Sequence, residues 1–510
     1  MTSSLVWFKR DLRVVDHQPL TQALSRGKVT ALYVFEPAYL SQPETTPCQL
    51  EFIRESLETL SHELHKLRVP LLIHTRDIED TLNELHTTLK FNAIWSHEET
   101  GAAWSFERDK TVTRWCRTHG VKWNEYAQFG IARPHPTRSG WSKRWNLAMS
   151  TPSLPAPSPQ GGDYHGRPPQ IPSLKELGIE GSPKAEQQRG GSLEALSLAQ
   201  SFFRCRGEHY QTGMSSPVTA WQQCSRLSPH LAYGTLSMRW LNQRSVETRT
   251  RLKMERQRGR QIGPYWLKSL ASFEKRLRWH CHFMQKLEDQ PSLEFENMAR
   301  IYDGLRQAPP TDERFDAYTK GETGYPMVDA CIRALKATGW INFRMRAMLV
   351  SFASYHLWLP WQDTARFLAQ HFVDFEPGIH YPQVQMQSGT TGINTLRIYN
   401  PQKQVLDHDP QGVFIRRWVP ELRDIPEAYL SKPETLSSGI LSQFPQTRVY
   451  PAPIVEHQEA VSAARKAIMA LRRRPEARRE AAAVLDRHGS RRRPPSKKQK
   501  LPTTRQLDLL

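Results

Sequence analysis

The sequence predicts an α/β domain built on a parallel sheet, then a linker, then an all-α domain. Three observations carry that reading. Residues 1–135 alternate strand-like and helical runs, whereas Thr151 to Gly191 turns to Pro, Gly, Ser and charge. After Leu193 the pattern is mostly helical up to about Ile398, with neither strand alternation nor repeats. A chain of 510 residues is too long for one compact core, which agrees with two or three domains.

The elements follow in order. LVWFKRDLRVVD, Leu5 to Asp16, crowds apolar residues ahead of a charge cluster that starts at Lys9. Such a run is a buried parallel strand opening into a polar turn, the end at which open α/β sheets hold ligands. Val29–Glu36, Leu71–Thr75 and Ala93–Ser96 are further strands, the last followed by a helical pattern to about Cys116. Leu50, Ile53, Leu57, Leu60, Leu64 and Leu67 recur at three- and four-residue spacing, the apolar stripe of a helix. Strand–helix alternation of this kind calls for parallel pairing. TPSLPAPSPQGGDYHGRPPQ is linker-like. Val461–Arg474 forms one more helix, and from Pro475 the chain, with RRRPPSKKQK, has the composition of a disordered basic tail.

Charge is unevenly placed. From Arg465 to Leu510 there are fifteen Lys or Arg against four Asp or Glu, a net of +11 out of the chain's +19. The +8 left for the body still favours a polyanionic partner. Six Cys (48, 116, 205, 224, 281, 331) show no CxxC and no metal-ligand spacing, so reduced thiols and no metal site are expected. The most apolar region, Ala347–Pro360, is too short and polar to span a bilayer, and the chain starts directly on a strand. A soluble, cytoplasmic monomer without a membrane partner is expected.

Three segments carry polar chemistry. SRLSPHLAYG (Ser225–Gly234) sets two hydroxyls and a guanidinium before a helix, suited to a diphosphate or equally to a helix cap. GETGYPMVDACIRALKATGWINFRMR (Gly321–Arg346) has turns before two helices, with ordinary helix punctuation as the alternative. DFEPGIHYPQVQMQSGTTGINTLRIYNP (Asp374–Pro401) is polar, Gly-rich and too long for an idle connection.

With LVWFKRDLR, these segments resemble, in order and spacing, the photolyase/cryptochrome flavoproteins, and RIYNPQKQVLDHDPQGVFIRRWVPEL resembles that family's closing signature. The resemblance spans residues 1 to about 430. It implies a five-stranded, Rossmann-like antenna domain over 1–135 and a linker over 136–192. An all-α FAD-binding domain over 193–455 and a largely disordered basic tail over 456–510 complete the expected layout. It further implies FAD held by Tyr210, Cys224, Ser225, Arg226, Leu227 and Ser228, with Phe273, Phe375 and Glu376 beside it. Arg346 and Asp374 correspond to an ion pair at the isoalloxazine edge, and His380 falls opposite flavin N5, where it is expected to set the radical's protonation.

The same resemblance implies light-driven electron transfer into a flipped-out pyrimidine dimer stacked on Trp279. Arg276, His280, Phe343, Arg344 and Gln404 complete the expected DNA-contacting set, with Trp361 in electron transfer. A second antenna chromophore (folate, deazaflavin or another) is expected in the first domain, with Trp95–Thr100 not matching any known site well enough to choose. Absence of Cys after Cys331 argues against the iron–sulfur branch.

Departures qualify the picture. Arg276 stands where dimer photolyases have Glu, and cannot accept a hydrogen bond from a pyrimidine edge. Asn342-Phe343 replaces the usual His-Asn. The inner and outer members of the Trp chain fall at Val384 and near Ala308, with Trp358 and Tyr318 as a detour. Repair of pyrimidine dimers in DNA is the leading reading, and a cryptochrome-type blue-light photoreceptor the runner-up.

Overall fold

The computed structural model describes residues 2–489 except 134–137, 162–165, 308–311, 437–442 and 445–449. Five strands, β1 (Thr2–Phe8), β2 (Gly27–Val34), β3 (Leu71–His74), β4 (Ala93–His97) and β5 (Lys122–Tyr126), form one sheet in the order β3-β2-β1-β4-β5. Every pair is parallel, with Leu5 registered against Thr30 on one side and Ile94 on the other. Alternation along β1 sends Val6 and Phe8 to one face and Leu5 and Trp7 to the opposite one. The first face packs on α1 (Pro47–Lys66) through Leu50, Ile53, Leu57, Leu60 and Leu64. Helices α2 (Ile78–Leu89) and α3 (Ala103–Thr118) cover the second through Leu82, Leu85, Val112 and Trp115. Burial on both faces is why β1 reads as a continuous apolar run.

Just past β1 the Asp11 carboxylate gathers three donors. Oδ1 accepts the Lys9 N–H at 2.7 Å, and Oδ2 accepts from His17 Nε2 at 2.8 Å and from His97 Nδ1 at 2.7 Å. The Leu20 N–H donates to His17 Nδ1 at 3.1 Å, which leaves the His17 proton on Nε2. Burial pushes the Asp11 carboxyl up, but the two imidazoles outweigh it and hold the group well below the usual range. Ligand atoms of these three residues lie within 4.8 Å of one another, the spacing of a metal site. Each is already committed to the hydrogen bonds above, so the group acts here as a clamp on the strand end.

Two expected boundaries change. Trp141–Ser150 (α4) lies within the span read as linker, but it is a helix whose Trp141, Trp145 and Met149 are buried in the helical core. α11 (His457–Arg472) matches the helix expected over Val461–Arg474, whereas α12 (Pro475–His488) is ordered helix where the disordered tail was expected to begin. Their Ala464, Ile468 and Val484 pack with Tyr302 and Tyr355, burial that a count of charges along the chain does not register. Residues 490–510, with RRRPPSKKQK, lie outside the described residues. Among the described residues, the rest of the linker has no helix or strand but is pinned: Gln160 bonds both backbone groups of Val29, and Leu177 enters the sheet's core.

The helices that build the site are α5 (Ser228–Ala232), α6 (Trp266–Asp289), α7 (Pro326–Thr338), α8 (Phe343–Ser351), α9 (Trp361–His371) and α10 (Pro377–Ser388). The last takes up almost half of the polar, Gly-rich segment Asp374–Pro401, inside the stretch expected to be mostly helical. Gly378 permits its close approach to α6; a Cβ there would lie 3.0 Å from the Met284 Cα. Replacing Asp11 with Ala strands three buried donors, and a loss of about 3 kcal/mol is expected. Urea unfolding checks this, and a loss below about 1 kcal/mol would remove the clamp from the account.

Candidate functional site

Helices α6, α8, α9 and α10 converge on an open cavity. Its wall includes Ser228, His280, Phe343, Arg346, Asp374, Phe375, Glu376 and His380, eight of the residues singled out in the sequence. The Arg346 guanidinium donates from Nη2 to Asp374 Oδ2 at 2.8 Å and from Nε to the Ile341 carbonyl at 2.9 Å. It lies 3.9 Å over the Phe372 ring. Held on three sides, this cation has one defined position in the wall.

Glu376, His380, Gln383 and Gln387 recur at four-, three- and four-residue spacing and all line the cavity. That polar stripe is a helical period visible in the sequence, and Gln383 and Gln387 are functional candidates the sequence reading missed. Asp374 Oδ1, Glu376 Oε1, Gln383 Oε1 and Gln387 Oε1 are buried without a hydrogen-bond partner. Four unpaired acceptors in one wall are costly unless a ligand supplies N–H or O–H donors.

Titration behaviour follows from burial. Burial pushes the Glu376 carboxyl up to about 7, with the Arg10 charge working against it. His380 donates from Nε2 to the Ala365 carbonyl at 2.9 Å, which leaves Nδ1 a bare acceptor. Burial pulls it down to about 4, so it is neutral at pH 7. The expectation that it donates a proton near neutral pH is therefore corrected: what it offers is a lone pair.

The remaining candidates separate into groups. Tyr210 and Phe273 belong to an aromatic cluster with Phe202, rings 4.8–5.7 Å apart, and do not line the cavity. Cys224 ends a short helix, with its thiol pushed up to about 12 by burial. Ser225 and Leu227 lie in the turn that follows, where Arg226 takes a left-handed φ of 57° and stacks 4.7 Å from Trp221. Ser228 opens α5, a helix of only five residues, so little of the expected positive helix end exists.

Trp279 and Phe343 are each 44% exposed. The Arg276 guanidinium lies 4.4 Å over the Trp279 ring and 6.0 Å from that of Phe343. Because Phe343 also lines the cavity, this aromatic pair marks its mouth. His280, expected on the DNA face, instead points into the cavity, since one residue along a helix turns the side chain by about 100°. Burial pulls it down to about 3, so it carries no charge for a phosphate. Gln404 is buried as well, with Oε1 unpartnered, and does not reach the surface. Arg344 lies half-buried against Tyr399 at 5.9 Å.

Trp361 is buried and donates from Nε1 to Asn297 Oδ1 at 2.8 Å. Val384 is in the cavity wall, and Ala308 lies outside the described residues. Of the detour candidates, Tyr318 is fully buried, and Trp358 lies 4.7 Å beneath the Arg306 guanidinium.

A second cavity sits at the C-terminal ends of β1 and β2, lined by Lys9, Arg10, Tyr39, Trp104, Arg108 and Phe375 among others. Arg108 bonds Glu36 at 3.2 Å and both Glu99 and Asp109 at 2.8 Å. Phe375 lines both cavities.

Two family models match the chain, one described as DNA photolyase over residues 4–140 and one as the FAD-binding domain of DNA photolyase over residues 273–470. The chain belongs to the photolyase/cryptochrome family. Among its relatives, the cryptochrome DASH of Gloeobacter violaceus is 28% identical, covering 90% of this chain and 94% of that protein. The deoxyribodipyrimidine photo-lyase of Vibrio cholerae is 26% identical, covering 89% and 97%. Similar folds include the class III photolyase of Agrobacterium tumefaciens (TM-score 0.79, 24% identity, 93% of this chain and 98% of that one). The Synechocystis cryptochrome is comparable (TM-score 0.78, 24% identity, 91% and 99%). A third is an archaeal photolyase from Sulfolobus tokodaii solved with two FAD molecules (TM-score 0.73, 24% identity, 92% and 100%). Among the described residues, no helix is long and apolar enough to cross a membrane.

The cavity wall of this photolyase-family chain carries a pH signature. A histidine pulled down to about 4 from 6.5 contributes stability that is complete above pH 6.5 and is lost as pH falls towards 4. His380→Gln removes that dependence. Between pH 7.5 and 4.5 the wild type should lose on the order of 2 kcal/mol more than the variant in urea unfolding. Equal losses would place the His380 titration elsewhere.

Proposed function

We propose that this protein repairs pyrimidine dimers in DNA under blue light, with FAD in the α6–α10 cavity. The observation that carries the reading is the mouth of that cavity, where two exposed aromatic rings flank a guanidinium at the entrance to a wall of unpaired acceptors. Exposed Trp and Phe faces are platforms for unstacked bases, worth about 1–3 kcal/mol per base. Reduced FAD, when bound, supplies the electron that light drives into the dimer and that returns after the ring splits.

The chain's own residues bind and orient. Asp374, Glu376, Gln383 and Gln387 offer acceptors to the cofactor's N–H and O–H groups, and Arg346, fixed by Asp374, sets positive charge at the flavin edge. Ser225 to Ser228 hold the ribityl–diphosphate arm, with Trp340 donating to Ser228 Oγ at 3.3 Å. Arg276 donates where the family's Glu accepts, so the lesion is held through its carbonyl or phosphate oxygens. The sheet-end cavity suits an antenna chromophore, and the Sulfolobus tokodaii structure with two FAD molecules supports a fold that admits a second chromophore. Its aromatic and charged wall does not single out one.

A cryptochrome-type photosensor is the second reading, favoured by Val384, which cannot relay an electron, in the cavity wall.

The deciding experiment irradiates the FAD-loaded, reduced protein with single- and double-stranded DNA carrying a defined pyrimidine dimer, and quantifies restored bases by chromatography. Restoration is expected, and Trp279→Ala should lower it at least about tenfold at sub-saturating DNA. No restoration on either substrate, with flavin photochemistry intact, would favour the photosensor.

A further inference from the structure

The interior beside the C-terminal half of α6 holds more positive charge than its acids balance. Arg138 and Lys286 are each only 4% exposed. Arg138 Nη2 donates to His282 Nδ1 at 2.6 Å and to the His282 carbonyl at 3.2 Å, while Nε and Nη1 have no hydrogen-bond partner among the described residues. Its carboxylate partner among the described residues is Asp289, 3.7 Å from Nη1, and Asp289 already accepts from Gln285 at 2.8 Å. The neighbouring Glu288 is engaged by Arg133 at 2.5 Å and Thr100 at 2.6 Å. Lys286 follows His282 by one helical turn, with Nζ 5.1 Å from the Phe283 ring, and is in no ion pair among the described residues.

The last helix, α12, closes the cluster. His488 donates from Nε2 to Gln290 Oε1 at 2.9 Å, an oxygen that also accepts from Arg487 at 3.1 Å. The other ring nitrogen, Nδ1, is buried and unpartnered. Burial, then the charges of Lys286 and Arg138, pull His488 down to about 3, and burial with Arg138 pulls Lys286 down to about 8. The neutral His488 Nδ1 is a lone pair without a donor, within the electrostatic reach of Lys286 and of Arg138, whose Nε and Nη1 are themselves unpartnered among the described residues.

We infer that Arg138, Lys286, His282 and His488 form a binding site for a protonated tetrahedral oxyanion, inorganic hydrogen phosphate. The ion's bare oxygens accept from Arg138 and Lys286, and its own O–H donates to His488 Nδ1. Chloride has no proton to give, and sulfate has none near neutral pH. A water molecule lacks the charge. Arg138, Lys286 and His488 are each at most 4% exposed, which favours a small free ion over a phosphate ester carrying a bulky group. The ion ties together the segment joining the two domains, the central helix α6 and the last helix α12. This inference is independent of the repair reading.

The test uses the full chain near neutral pH with phosphate, sulfate or chloride at matched ionic strength. Phosphate is expected to raise the unfolding temperature saturably, to broaden its own ³¹P resonance on binding, and to slow amide exchange over residues 475–489. Sulfate should bind at least about tenfold more weakly, the cost of an unpaired buried nitrogen. Lys286→Met should abolish the phosphate effect, and if that variant does not fold, the wild-type ³¹P and anion comparison decides alone. Equal effects of the three anions, or an unbroadened ³¹P signal, overturn the site, as does Lys286→Met that binds phosphate like the wild type.

Discussion

The rest of the structure depends on one docking contact, the polar turn after β1 against the end of α5. Arg10 donates from Nε to the Ala232 carbonyl at 2.9 Å and from Nη2 to the Phe375 carbonyl at 2.7 Å, with Glu376 3.7 Å away. The Leu12 N–H donates to the Tyr233 carbonyl at 3.1 Å, and Arg13 to that of Gly234 at 2.9 Å. Gly234, at φ 64°, has no alternative, since a Cβ there would overlap the Arg10 carbonyl and the Asp11 Cα. Two sequence signatures more than 200 residues apart thus form one joint, whose guanidinium is satisfied almost entirely by the opposite domain.

That joint gives the two cavities a common wall. Arg10 faces the sheet-end cavity, its partner Glu376 faces the helical one, and Phe375 belongs to both. The relative position of the domains is therefore also the relative position of whatever the two cavities hold. Asp11, clamped by His17 and His97, keeps the β1 turn in the conformation that presents Arg10.

A second theme is the neutral interior. His280 and His380 in the cavity wall, and His282 and His488 beside it, are all pulled far below the ordinary imidazole range by burial. None of the four is a charge at neutral pH, and His282, His380 and His488 are fixed as hydrogen-bonding groups by their partners. In the α6–α10 cavity this leaves Arg346 as a fixed positive group in a wall that also carries unpaired acceptors.

Much was legible in the sequence because it is local. The apolar run of β1, the leucine stripe of α1 and the turns before α7 and α8 each follow from periodicity or from a Gly-Tyr-Pro or Thr-Gly-Trp break. The polar stripe from Glu376 to Gln387 was equally present, but was masked by the Gly and Pro around it. What local pattern does not contain is which side of a helix meets which neighbour. That is why His280 and Gln404 turned inward, why Phe273 joined an aromatic cluster, and why the charged stretch from Pro475 became α12 once the Tyr302–Tyr355 cluster covered its Val484. The sequence by itself determined the family, the sheet and the helical domain, since these rest on residue type and spacing, and the Arg346–Asp374 pairing followed from the family resemblance. Only the tertiary structure decided the joint at Arg10, the orphaned acceptors and the buried cations at Arg138 and Lys286, because an unpaired polar group exists only once the chain has excluded water from it.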